Sequence, residues 1–322
     1  MNRRLVLPLA AAAAVLAGVM FGATPGGWSA FVEAVRVPDS PGGVILRDLR
    51  LPRVLLAFAV GGALGITGAA LQALVRNPLA DPYLLGLSGG AGLGAVLAIA
   101  LSAGSPWAVP GAAFAGALGA IALVYRLAVV AGRRLDPRVL LLAGVVVGSF
   151  ASAIMSAVIT LAPATQLRSA FLWLLGGFGA ASWQALAVFA GYAILPAGLL
   201  FLSARQLDLL ALGEEPAQYL GADIERVKRV VYFAASLLTA ASVAVCGIIG
   251  FVGLVVPHAM RRLVGPLHLR LLPAVFVASG AFLVLADLLA RTVVRPMELP
   301  VGVVTALVGV PLFVTLLRRS MR

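Results

Sequence analysis

Two long apolar runs flank the segment Arg76-Asn77-Pro78-Leu79-Ala80-Asp81-Pro82-Tyr83-Leu84-Leu85-Gly86. This polar, proline-punctuated break constrains the fold more than any other stretch. Hydrocarbon offers no water to stray backbone N–H and C=O groups, so irregular chain at membrane depth survives only where protein or a water-filled cavity surrounds it. A receptor or simple anchor has little use for such a break, whereas a transporter must open a path between its helices.

Composition makes these runs membrane spans. Of 322 residues, 62% are hydrophobic and 11% charged, against about 25% charged in a soluble domain. The 36 glycines and 19 prolines fit, because small residues let membrane helices approach closely and proline is tolerated there. At about 20 residues per span, the length holds roughly ten to eleven spans and no large soluble domain. The net charge of +12 reads as basic loops facing the cytoplasm, not as a nucleic-acid site. Cys246 is the only cysteine and lies in an apolar run, which closes the disulfide and metal-cluster readings. His258 and His268 alone cannot build a metal site, so no protein-held metal is expected. Arg3-Arg4 and the run to Gly22 could be mistaken for a secretory leader, but Phe21 stands where a small residue is needed. A retained first helix with its N-terminus inside is expected.

The punctuation gives ten spans, near 5–22, 54–74, 84–102, 111–132, 139–162, 184–203, 230–249, 251–264, 271–293 and 301–317. The eighth is too short to cross alone and is expected to work with the loop before it. Residues 166–182 suit a short or re-entrant helix on the outer side. With the N-terminus inside, sixteen basic residues, among them Arg3, Arg4, Arg133, Arg134, Arg318, Arg319 and Arg322, face the cytoplasm, against seven outside. That excess supports both termini being cytoplasmic. Arg53-Val54 and Arg229-Val230 open similar Ala/Gly/Val runs from opposite sides, each interrupted by a proline segment, a faint inverted repeat of a kind common in transporters.

Residues 204–229 are the densest charge cluster. Pro216 suits the first turn of a short helix and Gly221 its stop, with Ala222-Asp223 starting a second helix that leads to Lys228-Arg229. A solvated loop is the plain alternative. Leu212, Tyr219, Leu220 and Ile224 among the charges argue instead for a cytoplasmic knob that docks a partner. The chain has no phosphate-binding Gly-x-x-x-x-Gly-Lys-Ser/Thr loop, and its one lysine, Lys228, precedes Arg229. Any nucleotide hydrolysis must therefore occur on another polypeptide, and no cofactor is expected in this chain.

The motifs Leu51-Pro52-Arg53, Gln72 with Asn77-Pro78-Leu79-Ala80-Asp81-Pro82, Leu85-Gly86-Leu87-Ser88, Trp173 with Gly176-Gly177-Phe178, Ala211-Leu212-Gly213-Glu214, Gly250-Phe251-Val252-Gly253 through Pro257-His258, Ala286-Asp287 with Ala290-Arg291, and Glu298-Leu299-Pro300 follow one another in order. On them the chain resembles the permease subunits of binding-protein-dependent ABC importers for iron complexes and vitamin B12. The resemblance implies an all-α, ten-helix fold like that of the vitamin B12 permeases, in one transmembrane domain over residues 1–322. It implies two copies around a central pathway, two ATPase subunits below and a periplasmic or surface-anchored substrate-binding protein above, in a bacterial inner membrane. The segment near 206–228 is then the ATPase-coupling element, with Leu212, Gly213, Glu214, Glu215, Tyr219, Gly221, Asp223 and Arg226 as its candidate residues.

On the outer side, Arg50 and Arg53, three apart, would share a helical face. They read as interface anchors or, by the resemblance, as docking charges for the binding protein together with Arg47 and Arg295. Met155, Ser156, Thr160, Gln166 and Arg168 lie where the family places its pathway lining; ordinary helix contacts are the alternative. Asp287 is a membrane acid, a functional hypothesis by default, but Arg291 four residues on offers a structural ion pair. A proton-coupled carrier using Asp287, and a non-transport scaffold, are the competing classes. Tyr83-Leu84-Leu85-Gly86 leans faintly toward cobalamin or haem over siderophores as cargo.

Overall fold

The computed structural model describes residues 3–22, 28–102, 104–132, 135–221 and 223–320. Arg133, Arg134 and Arg322, and the side chains of Arg3, Arg4, Arg318 and Arg319, lie outside the described residues, as does Ala222.

The first helix, α1 (Arg3–Met20), is followed by two short helices, α2 (Trp28–Arg36) and α3 (Pro41–Val44). A π-wound segment, Ile45–Arg50, runs directly into α4 (Leu51–Val75). Arg76, at φ 53°, turns α4 off before Asn77-Pro78, and a 3-10 turn over Pro82–Leu85 leads into α5 (Leu87–Ala100). Then come α6 (Ala108–Gly132), α7 (Pro137–Leu161), α8 (Ala164–Leu174) and α9 (Trp183–Leu202). The short pair α10 (Ala204–Leu212) and α11 (Glu214–Tyr219) precedes α12 (Ile224–Cys246), α13 (Val252–Val264), α14 (His268–Thr292) and α15 (Val301–Ser320). Several starts carry side-chain caps that satisfy otherwise orphaned N–H groups. Asp136 accepts from Arg138, Ser182 from Ala185 and Asp223 from Arg226.

Among the described residues six helices are long and apolar enough to cross a membrane, and Val6–Met20, Leu87–Ala100 and Val301–Thr315 are shorter apolar helices. With α13 they make the ten expected spans. α4 is the hub: it is buried nearly all round and packs on α14, α12 and α13. Its glycines permit this. A Cβ on Gly61 would come within 2.5 Å of the Ser279 carbonyl, and one on Gly68 would run into the carbonyl of Gly253. A second layer joins α5 to α6 and α7.

The eighth span is a composite. α13 has 13 residues, about 20 Å at 1.5 Å per residue, short of a hydrocarbon core of about 30 Å. The irregular chain from Gly247 to Phe251 precedes it. Its backbone is satisfied from inside the bundle: Gly177 N–H donates to Cys246 O at 2.8 Å, and the Tyr83 phenol engages Ile249. The polar break after α4 is held likewise. Gln72 Nε2 donates to the Ala80 and Gly253 carbonyls at 3.4 and 3.2 Å, while Arg261 donates to Gln72 Oε1. The two breaks therefore brace each other.

Three expectations need correction. The outer short helix ends at Leu174, not 182, because Gly176 at φ +70° turns the chain and its carbonyl accepts from Val301 N–H. The two short helices of the charged segment meet at Gly213 (φ +117°), not at Gly221; beyond Gly221 (φ +81°), Asp223 caps the long α12 itself. The seventh span accordingly starts at Ile224 and ends at Cys246, since Gly247 at φ +70° stops it.

Candidate functional site

Three groups of side chains stand out. The first is the α10–α11 pair. Lys228, 2% exposed, bonds Glu214 at 2.8 Å and Glu225 at 3.4 Å, and Glu225 also accepts from Leu135 N–H at 3.2 Å. Asp208 accepts from His268 N–H at 2.9 Å and meets His268 Nδ1 at 2.6 Å. The pair is thus pinned to α12 and α14. Gly213 is buried, with Arg76 Nη1 lying 3.7 Å from where its Cβ would be, so the break after α4 adjoins the pair. What remains outward is Leu212, Tyr219 and Leu220, 65%, 92% and 63% exposed, with Glu215 beside them. Of the coupling residues expected from sequence, Glu214 points inward to Lys228 and Asp223 is a helix cap. Gly213 and Gly221 supply left-handed backbone, and Arg226 lines a groove between α6, α9 and α12.

The second group lies at the other end of the bundle. Arg53 is held between two acids, Asp287 at 2.9 Å and Glu298 at 2.8 Å. Arg291 Nε meets Asp287 Oδ2 at 3.0 Å, and its Nη2 donates to Gly18 O at 3.1 Å. Asp287 therefore serves two guanidiniums, and the network joins α1, α4, α14 and the chain entering α15. Sequence reasoning paired Asp287 with Arg291 and missed Arg53 and Glu298; the Leu-Pro-Arg and Glu-Leu-Pro motifs were visible, but their meeting across the fold was not. Arg50 and Arg53 do not share a face. Arg50 belongs to the π-wound segment, whose wider turn aims it at α1, where it donates to Val19 and Met20 carbonyls at 3.3 and 2.8 Å. Arg47 is exposed and pairs with Asp48 at 3.0 Å, and Arg295 is exposed in the turn after α14.

The third group faces along α7. Ser149, Ser152 and Ser156 join Ser88 and Tyr83 in a groove of about 570 Å³. Gly144 and Gly148 let α7 approach the Leu84–Gly86 backbone there. Two hydroxyls on this face are satisfied within the helix: Ser156 donates to Ser152 O at 2.9 Å and Thr160 to Ser156 O at 2.8 Å. The expected lining residues divide. Ser156 is in the groove, with Thr160 one turn beyond. Met155 turns toward Gly92 of α5, Gln166 donates to Ser102 Oγ at 2.7 Å, and Arg168 borders an apolar recess with Ile159 and Phe171. Ser152 and Ser149, not among the expected lining residues, stand one and two turns before Ser156 on the same groove.

One connecting-segment acid is perturbed. Burial pushes the Asp81 carboxyl up to about 6, against the opposing hydrogen bond it accepts from Tyr83 N–H.

The chain is similar to known proteins over most of its length. The FecCD transport family matches residues 9–319. The uncharacterized ABC transporter permease protein YvrB of Bacillus subtilis is 42% identical over 86% of this chain and 80% of its own. The cobalamin import system permease protein BtuC of Halobacterium salinarum is 43% identical over 85% of this chain and 73% of its own. The hemin transport system permease protein HmuU of Yersinia pestis is 42% identical over 85% of this chain and 83% of its own. A solved inward-facing conformation of a putative metal-chelate type ABC transporter superimposes with a TM-score of 0.86 at 30% identity, covering 97% of each chain. The chain belongs to the FecCD transport family.

Proposed function

We propose that this chain is the membrane-spanning permease subunit of an ATP-driven importer for a bulky metal chelate of the ferric-siderophore, haem or cobalamin class. The observation that carries the reading is the α10–α11 pair: two short helices locked to α12 and α14 by Lys228 and Asp208, presenting exposed Leu212, Tyr219 and Leu220 outward. A solvated loop would not be braced by a buried lysine, nor would it expose adjoining large apolar side chains. Two ATPase subunits fit that surface, with ATP and magnesium bound on them and hydrolysis confined to them. A second copy of this chain completes the pathway, and the Ser149, Ser152 and Ser156 groove supplies part of its lining. Weak hydroxyl contacts suit a conduit that must release its cargo. Both termini lie on the cytoplasmic side of a bacterial inner membrane, and a periplasmic or surface-anchored binding protein delivers the cargo to the opposite face. Of the four arginines expected to meet it, Arg47 and Arg295 are exposed. Arg53 contributes indirectly by fixing the loop that carries Arg295.

The proton-carrier reading loses ground because Asp287 sits between Arg53 and Arg291. Fully buried and held in two ion pairs, that carboxylate braces α4 against α14 instead of facing an open path. The deciding experiment reconstitutes the permease with its genomic neighbour ATPase and binding protein in vesicles. Uptake of radiolabelled cobalamin, haem or ferric siderophore should stop when the ATPase phosphate-loop lysine is replaced. Uptake that persists and follows an imposed pH gradient would restore the carrier reading.

A further inference from the structure

The cytoplasmic-side groove between α6, α9 and α12 has a mixed character that the transport reading does not use. It encloses about 630 Å³, and its lining includes Tyr125, Leu195, Leu199, Phe233, Arg226 and Arg229. The two arginines stand three apart on the first turns of α12, so both reach the same mouth. Both are exposed, and among the described residues neither is in an ion pair; Arg229 Nε donates to the Glu225 carbonyl at 3.3 Å. The acids around them are engaged elsewhere. Asp223 caps α12, Glu225 holds Lys228 and Leu135 N–H, and Glu214 holds Lys228. Deeper in, the wall turns apolar: Leu195 is 68% and Phe233 42% exposed, and the Tyr125 and Phe233 rings meet tilted at 49°, with 5.0 Å between centroids.

We propose that this groove binds one anionic phospholipid of the adjacent leaflet, its phosphate on Arg226 and Arg229 and an acyl chain against Leu195, Leu199 and Phe233. Guanidiniums suit phosphate oxygens, which they can bind through two N–H donors at once. Basic recesses between membrane helices on the cytoplasmic side are where phospholipid headgroups of this kind bind. A soluble phosphate would engage only the mouth and leave the apolar wall uncovered. A lipid meets both parts, and its site lies at the foot of α12, directly after the α10–α11 pair. Assignment to the cytoplasmic leaflet rests on the proposed topology; the lipid itself does not.

The test uses the full chain, purified from membranes in mild detergent and then placed in nanodiscs. Bound lipid is counted by native mass spectrometry and by extraction, with phosphatidylglycerol, cardiolipin and phosphatidylcholine as probes. Wild type should retain phosphatidylglycerol or cardiolipin in preference to phosphatidylcholine. Arg226→Ala with Arg229→Ala should lower retention by about tenfold or more, each cation near a membrane surface contributing roughly a fivefold factor. Leu199→Trp, which fills the wall and keeps both arginines, should also lower it. Arg138→Ala with Arg205→Ala, a charge-matched control, should not. Millimolar inorganic phosphate should fail to displace the lipid. Equal retention in the Arg226/Arg229 variant, equal retention of phosphatidylcholine, displacement by phosphate alone, or loss of the lipid when the ATPase assembles would each overturn the proposal. None of these outcomes bears on whether the chain imports a chelate, which is read by uptake.

Discussion

The Tyr83 hydroxyl and the Ile249 peptide close a two-way hydrogen bond across 166 residues of sequence: Oη donates to Ile249 O at 3.1 Å and accepts from Ile249 N at 3.2 Å. One phenol thus satisfies both backbone groups of a residue that no helix serves. Tyr83→Phe removes only the oxygen and leaves that N–H and C=O buried without partners, at about 1–3 kcal/mol per group. The expected outcome is a lower unfolding temperature in detergent and faster hydrogen exchange confined to 247–251. An unchanged exchange pattern would show that Tyr83 is not the brace between the two breaks.

Asp287 is expected to matter for assembly before it matters for transport. Asp287→Asn leaves Arg53 and Arg291 short of a counter-charge, and breaking a buried pair costs about 3–5 kcal/mol. Yield should fall sharply, while the surviving protein still transports. Glu298→Gln should be milder, because the Glu298 side chain is 37% exposed, and pairs near the surface contribute about 0–1 kcal/mol. Normal yield of Asp287→Asn with abolished uptake would point instead to a proton relay.

Gly221 adopts φ +81° with open space around its Cα. A side chain there meets no neighbour, so any cost is conformational, about 1–2 kcal/mol for a left-handed L-residue. Gly221→Val is expected to leave the membrane bundle folded yet shift α11, lowering both ATPase co-purification and ATP-driven uptake. Tyr219→Ala, which removes exposed apolar surface without touching the backbone, should lower co-purification alone. Wild-type behaviour of both variants would remove α10–α11 from the coupling surface.

Asp81 carries a pH dependence of definite sign. Its folded value near 6 lies above the ordinary 3.8, so the folded chain holds a proton that the unfolded chain releases. This group's contribution is most favourable below about pH 4 and is lost as pH rises through 6. Asp81→Asn keeps a cap oxygen for Tyr83 N–H and removes the buried charge. It should raise the unfolding temperature at pH values above 6 and converge with wild type near pH 4. A variant less stable at every pH would mean the carboxylate makes a contact that the amide cannot.

Much of the bundle was legible because membrane burial writes itself as long apolar runs, and because irregular backbone must be sheltered. The composite eighth span followed from its length alone. The placement of Gly213 between two short helices was not legible: both Gly213 and Gly221 are stop signals, and only the Glu214–Lys228 contact decides where the chain folds back. Arg53 and Glu298 are 245 positions apart, and nothing local marks them as partners. Arg50 misled for a different reason. Spacing of three implies a shared face only on an α-helix, and π winding at Ile45–Arg50 breaks that rule.

Lys228 is the one lysine in the chain, and it is enclosed between Glu214 and Glu225. Amine-directed reagents such as succinimidyl esters therefore find no lysine side chain to acylate on the folded protein, and lysine-based cross-linking to an ATPase would report nothing from this side of the contact. Cys246, 4% exposed, is equally hidden from maleimides. The wild-type chain is thus already a quiet background for site-specific labelling: a single cysteine introduced at Tyr219 would be the only readily accessible thiol, and its modification rate could follow partner docking directly.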